Sequence, residues 1–219
     1  MKTLPSALLQ GYQDFKDSKF ATESERYRRL ADQGQTPETM VIACCDSRAA
    51  PETIFNTLPG EIFVVRNVAN LVPSYAPDGE YHSTSAALEF AVQSLKVKNI
   101  VVLGHGRCGG IKAALDPLGV PLSPGDFIGK WMGLLAPAAA EVSARQQISQ
   151  AERQTALEHI SIRNSLENLR TFPCISILEN KKKLNLYGAW FDISSGKLLT
   201  MDPQTGKFSP PADEGVSGT

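Results

Sequence analysis

The stretch MVIACCDSR, residues 40–48, decides the fold because it joins an apolar run directly to a group of reactive side chains. Met40 to Cys44 form an unbroken apolar run, without the alternation of a half-exposed strand. Such runs are typical of parallel strands that are buried on both faces. Asp46 and Arg48 follow at once, and open parallel sheets bind ligands beyond the carboxyl ends of their strands. The sequence therefore predicts a functional site that begins at Cys44.

Two further runs, 61–66 and 99–103, have the same character and alternate with helical periodicity, for example over 84–96. This βαβ order predicts parallel strands with right-handed crossovers. A last strand-like segment, 184–193, leads through a tight turn into 198–201. We therefore predict an α/β fold: a mostly parallel β-sheet of four strands plus an antiparallel edge strand, flanked by helices.

The chain of 219 residues contains no linker that would divide it, so we expect 1–219 to form a single domain. Residues 1–33 predict an N-terminal helical arm, of an amphipathic kind that often packs on a neighbouring subunit. A long helical region is expected over 127–170, bent or split at Pro137. Residues 203–219 are rich in Pro, Gly and Ser and predict a flexible tail.

Charge and composition exclude several classes of partner. The net charge is -1 and the sequence pI is about 6.3, so no field would recruit nucleic acid or an anionic membrane. No apolar run approaches the roughly 18 residues that span a bilayer, and we expect a cytoplasmic protein. In that compartment the four cysteines would be metal ligands or buried thiols, not disulfides. Cys45 and Cys174 are expected to be buried thiols.

A second motif, GHGRCGG at residues 104–110, ends the third apolar run. His105 and Cys108 are three residues apart, so both side chains can reach one metal. Together with Cys44 they form the kind of ligand set that zinc prefers, with one coordination position left for chemistry. Gly109 would follow at the start of a helix, where a free N–H can donate to an oxyanion.

Asp46 and Arg48 are close enough in sequence to form a charge-assisted pair, in which Arg48 holds Asp46 ionised and aimed. In an alternative arrangement Asp46 leaves Arg48 and becomes the fourth zinc ligand, which closes the site. Taken singly, these residues have simpler interpretations, such as a buried thiol, a loop histidine or a turn-stabilising pair. The two motifs together argue against coincidence.

From about Gly34 to Leu115 the chain resembles the β-class carbonic anhydrases. The resemblance rests on three motifs, quoted as they stand here: Cys44-x-Asp46-Ser47-Arg48, Gly60-Glu61-x-Phe63-Val64-Val65-Arg66-Asn67-x-Ala69-Asn70 and His105-x-x-Cys108-Gly109-Gly110. It implies reversible hydration of carbon dioxide to bicarbonate and a proton by a zinc-bound hydroxide. It also implies one Zn²⁺ per chain, held by Cys44, His105 and Cys108, with Asp46 and Arg48 as the catalytic dyad.

The resemblance is greatest to the plant-type branch, because Gly34-Gln35-x-Pro37 precedes the first strand. It implies that Gln35 donates a hydrogen bond to substrate, that Phe63 lines the pocket and that Gly109 supplies a backbone donor. Phe90 stands where this branch usually has a pocket tyrosine, so the role of that hydroxyl is missing here.

Val41 stands where the bicarbonate-regulated branch has a tryptophan. The partner arginine of that regulatory pocket, Arg66, is present, but without the tryptophan we predict an open site with Asp46 paired to Arg48. The family also implies a homo-oligomer, a dimer or a dimer of dimers, with the active-site cleft at the subunit interface. Two alternatives stay open. One is a zinc hydrolase that acts on a carbon dioxide analogue such as carbon disulfide. The other is a non-catalytic zinc or redox module, suggested by the adjacent Cys44 and Cys45.

Overall fold

The computed structural model describes residues 4–116 and 119–212. A single six-stranded sheet has the strand order β2-β1-β3-β4-β5-β6. The first four strands in this order are parallel, whereas β5 and β6 run antiparallel at one edge. The predicted sheet is confirmed, and the edge carries one more short strand than expected. The strands are β1 Thr39–Cys44, β2 Ile62–Asn67, β3 Asn99–His105, β4 Asn185–Phe191, β5 Leu198–Met201 and β6 Phe208–Ser209.

Nine α-helices lie within the described residues: α1 Ser6–Phe15, α2 Ala21–Gln33, α3 Pro51–Ile54, α4 Ser83–Glu89, α5 Gly109–Ala114, α6 Phe127–Met132, α7 Ala136–Ser143, α8 Gln150–Arg170 and α9 Pro173–Asn180. The helical region predicted over 127–170, with a bend or split at Pro137, is split at a 3₁₀ turn, Gly133–Leu135, just before that proline. It is split again before α8, which starts with a capping box between Ser149 and Glu152.

The N-terminal arm is a nearly continuous helical run. A π-helical turn, Lys16–Phe20, joins α1 to α2, and Gly34 ends the run with φ 78°, a left-handed value that favours glycine. Arg26 ties the arm to the rest of the chain by donating to the Pro59 carbonyl at 3.2 Å. Apolar side chains such as Leu8 and Tyr12 are nonetheless exposed. The arm therefore presents apolar surface to its surroundings.

The crossovers on the two sides of β1 lie on opposite faces of the sheet. The connection from β1 to β2 contains α3, whose Ile54 packs in one apolar cluster with Ala43. The connection from β2 to β3 contains α4, whose Leu88 belongs to the cluster of Ile42 on the other face. The strand order therefore reverses between β1 and β3, and open α/β sheets bind ligands beyond the carboxyl ends of their strands at such a point.

Two glycines allow α8 to pack closely on β3 and β4. A Cβ atom at Gly104 would lie 2.7 Å from the Cδ1 atom of Ile162, and one at Gly188 would lie 2.9 Å from its Cγ2 atom. Both distances are too short for real side chains, so the sheet needs glycine under this part of the helix. The close approach places the N-terminal half of α8 beside the carboxyl end of β3.

The C-terminal stretch is only partly described. Phe208 and Ser209 pair with β5, within the region 203–219 for which the sequence predicts a flexible tail. Residues 213–219 of that region lie outside the described residues, and its flexibility stays a prediction. Among the residues that the structure describes, no helix is both long and apolar enough to cross a membrane.

Candidate metal centre

Three potential metal ligands meet at the end of the sheet. Cys44 is the last residue of β1, His105 is the last residue of β3, and Cys108 immediately precedes α5. The Sγ atoms of Cys44 and Cys108 are 3.9 Å apart, and the three donor atoms lie within 4.8 Å of one another. Tetrahedral zinc with Zn–S bonds of ~2.3 Å requires two sulfurs about 3.8 Å apart. The spacing fits that ion.

The imidazole of His105 is oriented for metal binding. Its Nδ1 lies 2.9 Å from the carbonyl oxygen of Gly106, which can only accept, so Nδ1 carries the proton. Its Nε2 is buried and has no hydrogen-bond partner. A buried polar atom without a partner costs free energy, and a metal ion between the two sulfurs would remove that cost. This orphaned nitrogen shows that the residues present fit a zinc ion.

The two thiols are coupled by their mutual hydrogen bond. That bond lowers the pKa of Cys44, as does the Ala69 N–H, which donates to the Cys44 Sγ atom at 3.3 Å. The same bond, together with burial, raises the pKa of Cys108. Cys44 therefore ionises more readily than Cys108, and a bound cation would stabilise both as thiolates.

Asp46 and Arg48 form a bidentate ion pair beside this centre. Arg48 donates from Nε to the Oδ1 atom of Asp46 at 2.9 Å and from Nη2 to Oδ2 at 2.7 Å. These bonds hold the pKa of Asp46 well below its usual range. The Oδ2 atom is also 3.9 Å from the Nε2 atom of His105. The carboxylate thus lies beside the three residues that would hold the metal.

Arg66 anchors the loop that carries Asp46, and sequence reasoning assigned it no role in the site. It donates from Nε to the carbonyl of Cys44 at 2.8 Å and from Nη2 to the carbonyl of Asp46 at 2.6 Å. β2 is thereby tied to the end of β1. The available signal was an arginine inside an otherwise apolar strand, and Arg66 is half-buried there. Two of the five N–H donors of this guanidinium are therefore engaged by main-chain carbonyls.

Glu158 and Gln154 of α8 also contact the centre, and sequence reasoning missed both. The Cys108 N–H donates to Glu158, and Gln154 donates to the Cys108 carbonyl. The available signal was helical phase, because Glu158 falls on the same helix face as the buried Ile162 and Leu169. An acidic residue in that phase indicates a buried partner.

The residues predicted to bind substrate fall into two groups. Gly109 directly follows Cys108, and a Cβ there would meet nothing within 4 Å, so the backbone is open to a small ligand. Phe63 instead pairs in register with Met40, four residues before Cys44, and is thus about 13 Å away along the strand at ~3.3 Å per residue. Phe90 stacks near Phe63, with ring centroids 5.8 Å apart.

Gln35 precedes β1 and is exposed, so it too lies toward the amino end of that strand. Within one chain the fold therefore does not bring Gln35, Phe63 and Phe90 to the three metal ligands. Their roles stay predictions. The expectation for the other cysteines was wrong in one case, since Cys45 is exposed, and Cys174 is only half-buried. Cys45 points away from the apolar core because it follows the last strand residue.

Known proteins match the chain over most of its length. A family model described as carbonic anhydrase matches residues 39–198. The Arabidopsis thaliana protein named beta carbonic anhydrase 3 is 37% identical over 190 residues, which cover 85% of this chain and 72% of the relative. The β-carbonic anhydrase CcaA has a similar structure, with a TM-score of 0.87, 27% identity and coverage of 94% and 91% of the two chains. A β-carbonic anhydrase from Sordaria macrospora, described as tetrameric, has a TM-score of 0.76 and 28% identity, with coverage of 93% of this chain and 98% of that one.

Proposed function

This chain belongs to the β-class carbonic anhydrases, and from that premise we propose that it hydrates carbon dioxide reversibly to bicarbonate and a proton with one zinc ion per chain. The zinc would be held by Cys44, His105 and Cys108. The observation that carries the proposal is the unpartnered, buried Nε2 atom of His105 beside two sulfurs that are 3.9 Å apart.

Zinc, when bound, supplies the Lewis acidity that lowers the pKa of water toward neutrality. The protein groups do the remaining work. The Arg66 side chain donates to the Cys44 carbonyl and the Ala69 N–H donates to the Cys44 Sγ atom, and together these bonds fix the position of Cys44. The Gly106 carbonyl holds His105 in the tautomer whose Nε2 lone pair is free. These contacts arrange the ligands before any metal arrives.

We assign Asp46 the role of a fixed hydrogen-bond acceptor. Its pKa is held well below the usual range, chiefly by the Arg48 hydrogen bonds, so at neutral pH it accepts a hydrogen bond without retaining the proton. Oδ2 would accept a hydrogen bond from the water that the metal activates and would hold that water in one orientation. The pairing with Arg48 supports the open-site arrangement over one in which Asp46 itself binds the metal.

We further propose a homo-oligomer in which a second copy completes the substrate pocket with Gln35, Phe63 and Phe90. This rests on the register that separates Phe63 from Cys44 within one chain. Phe90 supports it, because 48% of this large apolar side chain is exposed in the single chain. The exposed apolar side chains of the N-terminal arm also support a homo-oligomer. Gly109 would supply the remaining donor to substrate from its N–H.

Carbon disulfide hydrolysis is the alternative that the same ligand set allows. Stopped-flow measurement of proton release from carbon dioxide, next to an assay of sulfide release from carbon disulfide, separates the two. We expect catalysed hydration well above the buffer rate, loss of that rate when a chelator removes zinc, and no comparable sulfide release. Catalysed turnover of carbon disulfide alone would overturn the proposal, and turnover of neither would support a non-catalytic zinc or redox module.

A further inference from the structure

Glu158 is a buried acid to which the proposed reaction assigns no task. Only 2% of it is exposed, and no other Asp or Glu among residues 4–116 and 119–212 falls in the buried class. Burying a carboxyl group is costly unless its oxygens are hydrogen-bonded. The hydrogen-bond partners of the two Glu158 oxygens therefore indicate what this carboxyl group does beside the candidate metal centre.

The two oxygens accept from two different N–H donors. The backbone N–H of Cys108 donates to Oε1 at 3.1 Å, and the indole N–H of Trp190 donates to Oε2 at 3.1 Å. Trp190 lies on β4, whereas Cys108 follows β3, so the carboxyl group joins two strand ends from above. Both donor residues, Cys108 and Trp190, are themselves buried.

Gln154, one helical turn before Glu158, makes a second contact with Cys108, so that the two side chains form a clamp on that residue. Its Nε2 donates to the carbonyl oxygen of Cys108 at 3.1 Å. Helix α8 therefore holds the N–H of Cys108 with one side chain and the carbonyl with another. Cys108 is thereby fixed in an extended conformation, with φ -64° and ψ 126°, at the point where α5 begins. The direction of its Cα–Cβ bond follows from that conformation.

We propose that Glu158, assisted by Gln154, is a positioning residue that sets the place of the Cys108 sulfur at the metal. The inference rests on the proposed zinc site and deepens it, since it assigns the metal's retention to helix α8. Cys44 is set independently by Arg66 and Ala69, through β2 and the turn that follows it. The two sulfurs are thus held by different elements of the fold.

The number of acceptor oxygens gives the proposal a sharp test. Glutamine has almost the shape of glutamate but only one acceptor oxygen, and its NH₂ group would face one of the two N–H donors. Glu158→Gln should therefore leave either Cys108 or Trp190 without an acceptor. Replacing Trp190 by Phe removes one donor. In Glu158→Gln/Trp190→Phe the single amide oxygen is then sufficient for Cys108.

The measurement is the rate at which zinc passes from the purified, zinc-loaded protein to a chromophoric chelator. A second readout is the visible spectrum of the cobalt(II)-substituted protein, which reports the thiolate ligands directly. For Glu158→Gln we expect zinc release about 10- to 100-fold faster than in the wild type, as is usual for loss of an outer partner of a ligand, and a changed cobalt spectrum. Glu167→Gln, at an exposed position of the same helix, should match the wild type.

The double variant Glu158→Gln/Trp190→Phe should recover most of the wild-type retention and spectrum. If Glu158→Gln does not fold, Gln154→Leu tests the other arm of the clamp, with faster release expected there too. Wild-type release and an unchanged cobalt spectrum in Glu158→Gln would overturn the proposal. Failure of the double variant to recover would also overturn it, because the acceptor count would then not matter. A zinc-binding wild type without carbon dioxide hydration would refute only the proposed function.

Discussion

Arg48 donates two hydrogen bonds from its guanidinium to the carboxylate of Asp46, from Nε at 2.9 Å and from Nη2 at 2.7 Å. A third bond, from the Arg48 backbone N–H to Oδ1 at 3.0 Å, closes the turn. The carboxylate is therefore held ionised in one orientation, 3.9 Å from the Nε2 atom of His105. This geometry supports the proposal that Asp46 acts beside the metal and does not bind it.

Asp46→Asn should keep its zinc and lose most of its activity. The amide retains one oxygen, but its NH₂ group cannot accept from Arg48, so the orientation is lost. Hydration should fall about 100-fold or more, the lower range for a positioned acid or base, while zinc per chain stays at the wild-type value. Asp78→Asn, at an exposed aspartate that pairs with His82, is the matched control. Loss of zinc from Asp46→Asn would show that Asp46 is a ligand after all.

Bicarbonate should not act as an allosteric inhibitor. The guanidinium of Arg66 is committed to the carbonyls of Cys44 and Asp46, and Val41 is buried in the apolar core, with 1% exposed. Initial rates measured against bicarbonate concentration should follow a hyperbola. A sigmoidal dependence would mean that Arg66 leaves its carbonyls to bind the anion, and would contradict the open-site arrangement.

His159 should make the protein less stable in mild acid. Burial, with a smaller contribution from the charge of Arg163, lowers the pKa of His159 to about 4, whereas an unfolded histidine titrates near 6.5. Between these values the unfolded chain binds more protons, so stability falls as the pH falls from about 6.5 to about 4. Phe208 stacks on the ring at 4.1 Å and keeps it from water.

The measurement is the free energy of unfolding in urea across that pH range for the wild type and His159→Phe, at equal zinc content. The wild type should lose about 1–3 kcal/mol more than the variant. Equal slopes for the wild type and His159→Phe would show that folding does not lower the pKa of His159.

Gly188→Ala should destabilise the contact between α8 and the sheet. The new methyl group would lie 2.9 Å from the Cγ2 atom of Ile162 and 3.1 Å from the Cβ atom of Met201. We expect a loss of about 1–3 kcal/mol in the free energy of unfolding. Gly133→Ala is the control, since a Cβ there would meet nothing within 4 Å. Thermal unfolding with the two variants equally stable would argue against the close approach.

The sequence predicts the sheet and the metal ligands because both depend on local pattern. The apolar runs that end at Cys44 and before His105 indicate two buried parallel strands, and the order of strands and helices makes them neighbours. Cys108 follows from its spacing to His105. Once the strand ends meet, the three donor atoms have few other places to lie.

The contacts of Glu158 and Arg66 could not be predicted in the same way. They depend on how closely α8 approaches the sheet and on the register of β2, which no local pattern fixes. The register also separates Phe63 from Cys44 by four positions, although the family motif suggests a shared pocket. The cytoplasmic location stays a prediction, because nothing in the fold depends on it.

The central claim is that Cys44, His105 and Cys108 hold the zinc on which carbon dioxide hydration depends. Its most direct test is zinc content per chain measured together with the stopped-flow hydration rate, in the wild type and in His105→Ala. We expect about one zinc and rapid hydration for the wild type, and loss of both in the variant. Stoichiometric zinc retained by a folded His105→Ala protein, or rapid hydration by a zinc-free wild type, would contradict it.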